Sequence, residues 1–105
     1  MFIDGLSGQR ININTDTTAM FSAMVAARSS SESAGYKIEG VIKNDGGTTS
    51  LVGTAIKTVF AEEDTSWDCT VSADNTNDAL TFIVTGDATD DVDWVIDVDI
   101  TKVTN

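Results

Sequence analysis

A period of two between apolar and polar positions runs through most of the chain. The segments "WDCTVSA" (67–73) and "LTFIVT" (80–85) show it most clearly. Because successive side chains of a β-strand point to opposite faces of the sheet, this period predicts two strands that each bury one face. The segment between them, "DNTND" (74–78), is rich in turn-forming residues and predicts a hairpin. The residues expected to face the core are Trp67, Cys69, Val71, Ala73, Leu80, Phe82 and Val84.

The segment "GYKIEGVIK" (35–43) alternates in the same way, with Val41 as the exception. Its predicted inward residues are Tyr36, Ile38, Gly40 and Ile42. The dipeptide of Asp45 and Gly46 then predicts a type I′ hairpin turn, in which both central residues need positive φ. We expect the returning strand to cover residues 48–52 and Gly53 to interrupt it. The segment "TAIKTVFA" (54–61) would then form another short strand, in which Ile56 and Phe60 share a face.

The first third of the chain contains one segment for which helix and strand compete. "RININT" (10–15) alternates and suits a short strand, whereas "AMFSAMVAARSSSES" (19–33) contains Ala and Met, which favour helices. Its alternation nevertheless favours a strand, followed by a serine-rich loop. The predicted inward residues are Phe21, Ala23, Val25 and Ala27, and the outward ones are Met20, Ser22, Met24, Ala26 and Arg28.

The acidic segment "GDATDDVDWVIDVDI" (86–100) leads into the last strand, predicted over residues 92–103. Its apolar row is Val92, Trp94, Ile96, Val98 and Ile100, and its polar row is Asp93, Asp97, Asp99 and Thr101. Val95 and Val103 are the exceptions to this alternation. Carboxylates along one face would oppose pairing with a second molecule if this strand lies at a sheet edge.

These segments predict an all-β fold: an antiparallel β-sandwich or jelly roll of about seven to nine short strands. We expect residues 1–105 to form one domain, with residues 1–18 as an N-terminal arm or connecting segment. A net charge of −11 makes nucleic acid an unfavourable partner. No apolar run approaches the ~20 residues that would cross a bilayer, so no membrane insertion is expected. The N-terminus also lacks the pattern of a signal peptide.

Candidate chemistry is sparse in this sequence. The chain has no histidine, the commonest general base, and its single Cys69 is predicted to be a buried, inert thiol. Counting an EF-hand loop from Asp87 puts valines at the sixth and twelfth positions, which need glycine and glutamate. We therefore predict a protein that is not an enzyme, with no catalytic, cofactor-binding or metal residues. A looser cation site at Asp87, Asp90 and Asp91 is left open as an alternative to a solvated turn.

The two tryptophans, Trp67 and Trp94, have two interpretations. Exposed tryptophans stack on sugar rings in carbohydrate-binding proteins, but both of these lie in register with inward apolar residues. This register favours core packing.

Residues 19–103 resemble a C-terminal domain of tail-fibre and other virion structural proteins of tailed bacteriophages. The matching positions are Ala27 and Arg28, Tyr36 and Gly40, Gly47 and Thr48, Glu63 and Asp64 before Trp67, Leu80 with Val84, Thr85 and Gly86, and Trp94. These are structural glycines and core aromatics, so the resemblance indicates a module better than an activity. Residues 87–99 contain more aspartates than the pattern of this family, where mixed polar residues are expected. This difference leaves open whether the polar face of the last strand contacts a partner.

The resemblance implies a non-enzymatic structural protein located in the virion, ending a fibre and contacting the host or other virion proteins. It also implies a homotrimer, with the outward apolar residues Met24, Val41, Ile83 and Val95 in subunit contacts. One alternative is a carbohydrate-binding receptor-recognition module that contacts host surface glycans through the loops around 30–34, 62–66 and 74–78. Another alternative is a capsid decoration protein.

Overall fold

The alternating segments form antiparallel strands in a computed structural model, which describes residues 11–86 and 91–105 and the backbone of 2–3 and 6–7. The strands are β1 (Phe2–Ile3), β2 (Leu6–Ser7), β3 (Ile11–Asn12), β4 (Thr17–Arg28), β5 (Ser33–Asp45), β6 (Thr48–Glu62), β7 (Asp68–Asp74), β8 (Ala79–Thr85) and β9 (Asp93–Thr104). Residues 19–28 of the ambiguous segment are strand and residues 29–32 form the serine-rich loop, as the alternation predicted. Among the described residues there is no helix of the length and apolar character that crossing a membrane requires.

Two antiparallel sheets pack against each other as a sandwich, which confirms the predicted fold class. One sheet has the order β6-β5-β4-β9, the other has the order β3-β8-β7, and β1 and β2 form a separate pair beside β9. Strands β4, β5 and β6 are consecutive hairpins, and β9 returns to pair with β4 after the β7–β8 hairpin has crossed to the other sheet. This order of four strands is that of a Greek key.

The core lies between the facing sides of the two sheets and contains most of the predicted inward residues. Ile100, predicted to face inward on the last strand, is exposed. Phe21 meets Phe82 edge to face, with ring centroids 6.4 Å apart. Trp94 packs beside both Tyr36 and Trp67, at 6.3 Å from each ring. Both tryptophans are buried, which confirms the prediction that they are core residues. Residues 11–18, expected to belong to an arm or connection, take part in the sandwich, since β3 pairs with β8 and Thr17 begins β4.

Strand β6 differs from the prediction, because it is one strand of 15 residues and Gly53 does not end it. Val52 pairs with Val41 and Ile56 pairs with Glu39, so three residues of β6 lie opposite the single Gly40. Gly53 has φ +74°, a left-handed conformation that glycine adopts without steric cost. The chain therefore absorbs the extra residues in a bulge and continues the pairing.

The predicted hairpin between β5 and β6 is present, but its central pair is Gly46 and Gly47, which lie one residue later than predicted. Asp45 pairs with Thr48, and the two glycines have φ values of +57° and +99°. Positive φ at both positions is what a type I′ turn requires, and two glycines meet that requirement better than aspartate and glycine. Buried Asn44 holds the turn, because its Oδ1 accepts a hydrogen bond from the Gly47 N–H at 2.8 Å.

Candidate association surface

The four-stranded sheet has one side that no described part of the chain covers. We call the side of this sheet that points away from the three-stranded sheet the outer face. Because directly paired residues of antiparallel strands point to the same side, the register places its residues in rows across the sheet. Its apolar members are Met20, Met24, Ala26, Val41, Val52, Ile56, Phe60, Ala61, Val95 and Val103.

The most exposed apolar side chains of the outer face belong to β4, β6 and β9, where Val103 is 67% exposed. Phe60 is 70% exposed, and Met24 and Ile56 are each 65% exposed. Phe60 lies on this face because it is two residues after Thr58, which pairs with outward Lys37. A second bulge, between Val59 and Ala61, leaves Phe60 without a partner on β5. Large apolar side chains this exposed are unusual in contiguous groups on a monomeric protein.

A groove of about 570 Å³ crosses the outer face from β6 to β9. Met24, Ala26, Phe60 and Val95 contribute apolar side chains to it, and Gly35, which has no side chain, deepens it. Lys37 and Asp97 stand on opposite sides of Met24 in the same row. The groove therefore combines an apolar floor with one cation and one anion at its margins.

Charge on the outer face is ordered across the strands. Asp93, Asp97 and Asp99 form a column on β9, whereas Lys37 and Lys43 lie on β5. Each lysine has a carboxylate near it on its own strand, at 3.8 Å for Lys37 and Glu39 and at 3.0 Å for Lys43 and Asp45. Among the described residues, none of the three β9 aspartates has an ion-pair partner.

The structure brings together three of the four outward apolar residues that the resemblance placed in subunit contacts. Met24, Val41 and Val95 lie on the outer face, whereas Ile83 lies on the opposite exterior of the molecule, on β8. Phe60 was not predicted as a contact residue. The period of two did predict that Phe60 shares a face with Ile56, and both lie on the outer face. Which side of the sheet that face occupies follows only from the pairing of β6 with β5.

Three titratable groups with shifted pKa values are Tyr36 and Cys69, which are buried, and Asp68, which is partly exposed. The Tyr36 hydroxyl donates a hydrogen bond to Glu62 Oε2 at 2.5 Å, and burial, followed by that hydrogen bond, raises the pKa of Tyr36. Burial also raises the pKa of the Cys69 thiol to about 12, so this thiol stays protonated, as the predicted inert thiol would. The ammonium of Lys57 hydrogen-bonds Asp68 and lowers the pKa of that carboxyl.

The loops predicted to form one carbohydrate-contacting surface lie at two opposite ends of the sandwich. The prediction that they share one surface is therefore wrong. Residues 29–32 and 63–67 are neighbours at one end, where Ser33 N–H donates to Glu63 Oε1 at 2.9 Å. Residues 75–78 lie at the other end, where Asn75 Oδ1 accepts a hydrogen bond from Thr49 N–H at 2.7 Å. Phe60 is the one exposed aromatic side chain among the described residues.

The cation site left open in the acidic turn falls mostly outside the described residues, since Asp87 and Asp90 are not among them and Asp91 is exposed. Within the described part of the chain, no three His, Cys, Asp or Glu residues are grouped in a way that could hold a metal ion.

Comparison of the chain with protein-family models, with curated proteins and with solved structures finds no match. The resemblance to phage tail-fibre domains therefore stays a prediction.

Proposed function

We propose that this chain is a non-enzymatic structural domain of a phage virion, and that it associates with further copies of itself through the outer face. The observation that supports the association is the exposed apolar surface around Met24, Phe60 and Val95 on one sheet of a strongly acidic protein. The virion role and the three-copy stoichiometry rest on the resemblance.

The outer face is large enough for a stable contact. The face spans four strands, and the inner strand β4 is 12 residues long. At ~3.3 Å per residue and ~4.8 Å per strand, its area is roughly 40 Å by 19 Å, or about 760 Å². Specific protein interfaces bury about 800 Å² on each partner. Fully burying one Met, Val or Phe side chain stabilises a contact by about 1.5–3 kcal/mol, before the entropy lost on association.

The association is tested by light scattering on size-exclusion fractions of the wild type, Phe60→Ser and Ile83→Ser. Ile83 is the matched control, because it is an exposed apolar residue on the opposite exterior. We expect the wild type and Ile83→Ser to have the mass of three 11.1 kDa chains and Phe60→Ser to be shifted toward a monomer. A wild type that is monomeric at micromolar concentration would contradict the proposal.

Testing the virion role requires purified particles of the phage that encodes the chain. Gold-labelled antibodies against the purified domain should decorate the fibres of such particles in electron micrographs. Label confined to the head would instead support the capsid decoration protein, and unlabelled particles would contradict both roles. Denatured particles probed with the same antibody are the control for a buried epitope.

A further inference from the structure

The row formed by Lys37, Met24 and Asp97 contains two opposite charges that do not pair with each other, and Lys37 instead lies 3.8 Å from Glu39 of its own strand. Lys37 pairs with Met24 across β5 and β4, and Met24 pairs with Asp97 across β4 and β9. The backbones that carry the two charges are therefore two strand spacings apart, about 10 Å. Met24 lies between them. Asp97 is exposed and has no ion-pair partner among the described residues, and the Lys37 side chain is 39% exposed.

The order of these charges indicates which surfaces of two copies can meet. A contact centred on β9 of both copies would bring Asp93, Asp97 and Asp99 against the same residues of the second copy, and like charges placed this way oppose association. The opposite side of the outer face carries the apolar Phe60 of β6 and, on β5, Lys37 and Lys43, each of which lies beside a carboxylate of its own strand. A contact between β9 of one copy and the β6–β5 side of another is heterologous. It brings Asp97 toward Lys37, which are unlike charges, and Asp99 toward Glu39, which are like charges, so the row of Asp97 supplies the attraction.

We propose that a second copy of this chain docks in this way, with Asp97 of one copy forming an ion pair with Lys37 of the next. The inference rests on the proposed association through the outer face and names the contact that directs it. In this arrangement Val95 of β9 lies against Phe60 of the neighbouring copy, because both occupy the adjoining end of the groove on opposite edge strands. The long stem of Lys37 spans β6, where the outward residue in the same row is the uncharged Thr58.

Asp99 offers a matched control for the charge change. It lies on the same strand and the same face as Asp97, but its row contains Glu39 in place of Lys37. A lysine at position 97 would meet the neighbour's Lys37, whereas a lysine at position 99 would approach the neighbour's Glu39. The same reversal of charge therefore has opposite consequences at two positions two residues apart.

The test is sedimentation velocity of the full chain at low salt, with the variants K37D, D97K, K37D/D97K and D99K compared at equal concentration. We expect K37D and D97K each to weaken the association constant at least ~10-fold, K37D/D97K to restore it to within about 3-fold of the wild type, and D99K not to weaken it. All three positions are partly or fully exposed, so each variant should keep the monomer fold, which thermal unfolding verifies.

Two results would overturn the inference, and they are distinguishable from failure of the association itself. The first result is a wild type that associates while the single reversals leave association unchanged, or a double variant that associates no better than the single ones. Either outcome would show that the proposed ion pair does not form, without contradicting association through the outer face. If the wild type is a monomer, the association through the outer face is wrong as well.

Discussion

Replacing Gly40 with alanine should destabilise the sandwich, because no room exists for a methyl group at this position. Gly40 lies on the inner side of β5, directly against the ring of buried Phe21. A Cβ atom there would lie 2.8 Å from Phe21 Cζ and 3.3 Å from Ala55 Cβ. The Phe21 ring has little freedom to move away, since it packs edge to face against Phe82.

Two opposing effects determine the size of the loss. Overpacking a well-filled core costs about 1–3 kcal/mol, whereas replacing glycine by alanine within a strand recovers roughly 0.5–1 kcal/mol of backbone entropy. The net expectation is a free energy of unfolding lower by about 1–2 kcal/mol, or a Tm lower by roughly 4–10 °C. Leucine in place of Phe21 removes the ring that the methyl group meets, so Gly40→Ala should cost less in the Phe21→Leu background.

Urea unfolding monitored by the fluorescence of the two buried tryptophans measures this difference, at one protein concentration because association also affects stability. Gly35→Ala is the matched control on the same strand, since its added methyl group would approach no atom closer than 3.9 Å. The control should be neutral or slightly stabilising. A Gly40→Ala variant as stable as Gly35→Ala would refute the close packing of Gly40 against Phe21.

Two further predictions concern buried polar groups. Asn44→Leu should lower the free energy of unfolding by about 2–4 kcal/mol in the same urea assay, because it leaves a buried carbonyl of Ile13 and the Gly47 N–H without the partners they now have; stability equal to the wild type would contradict this role. Thermal stability should fall as the pH rises above 9, the ordinary pKa of a thiol, toward about 12, because the folded state raises the pKa values of both Cys69 and Tyr36 and so favours their neutral forms. Cys69→Ala should lose part of this alkaline decline, and a decline identical to that of the wild type would contradict the contribution of the thiol.

The local pattern of the sequence was sufficient to predict most strands but not how they join. Segment 67–73 alternates cleanly, and the row from Val92 to Val98 does so except for Val95, so burial on one side follows from that period. Strand β6 was divided at Gly53, because a bulge shifts the period while the backbone pairing continues. The return of β9 to pair with β4 is a contact between distant segments, and no local pattern encodes it.

The association surface was predictable only in part, for the same reason. Met24, Val41 and Val95 could be recognised as apolar residues on faces expected to be polar. Their meeting on one face depends on the pairing of β4 with both β5 and β9. Alternation places Phe60 on one face with Ile56, but that this face is the one shared with Met24 and Val95 depends on the pairing of β6 with β5.

Sedimentation equilibrium of the wild-type chain over a range of micromolar concentrations tests the central claim, self-association through the outer face, most directly. We predict an average mass above that of one 11.1 kDa chain that rises with concentration toward three chains, and that falls when Phe60 is replaced by serine. A mass of one chain at every concentration, unchanged by that substitution, would contradict the claim.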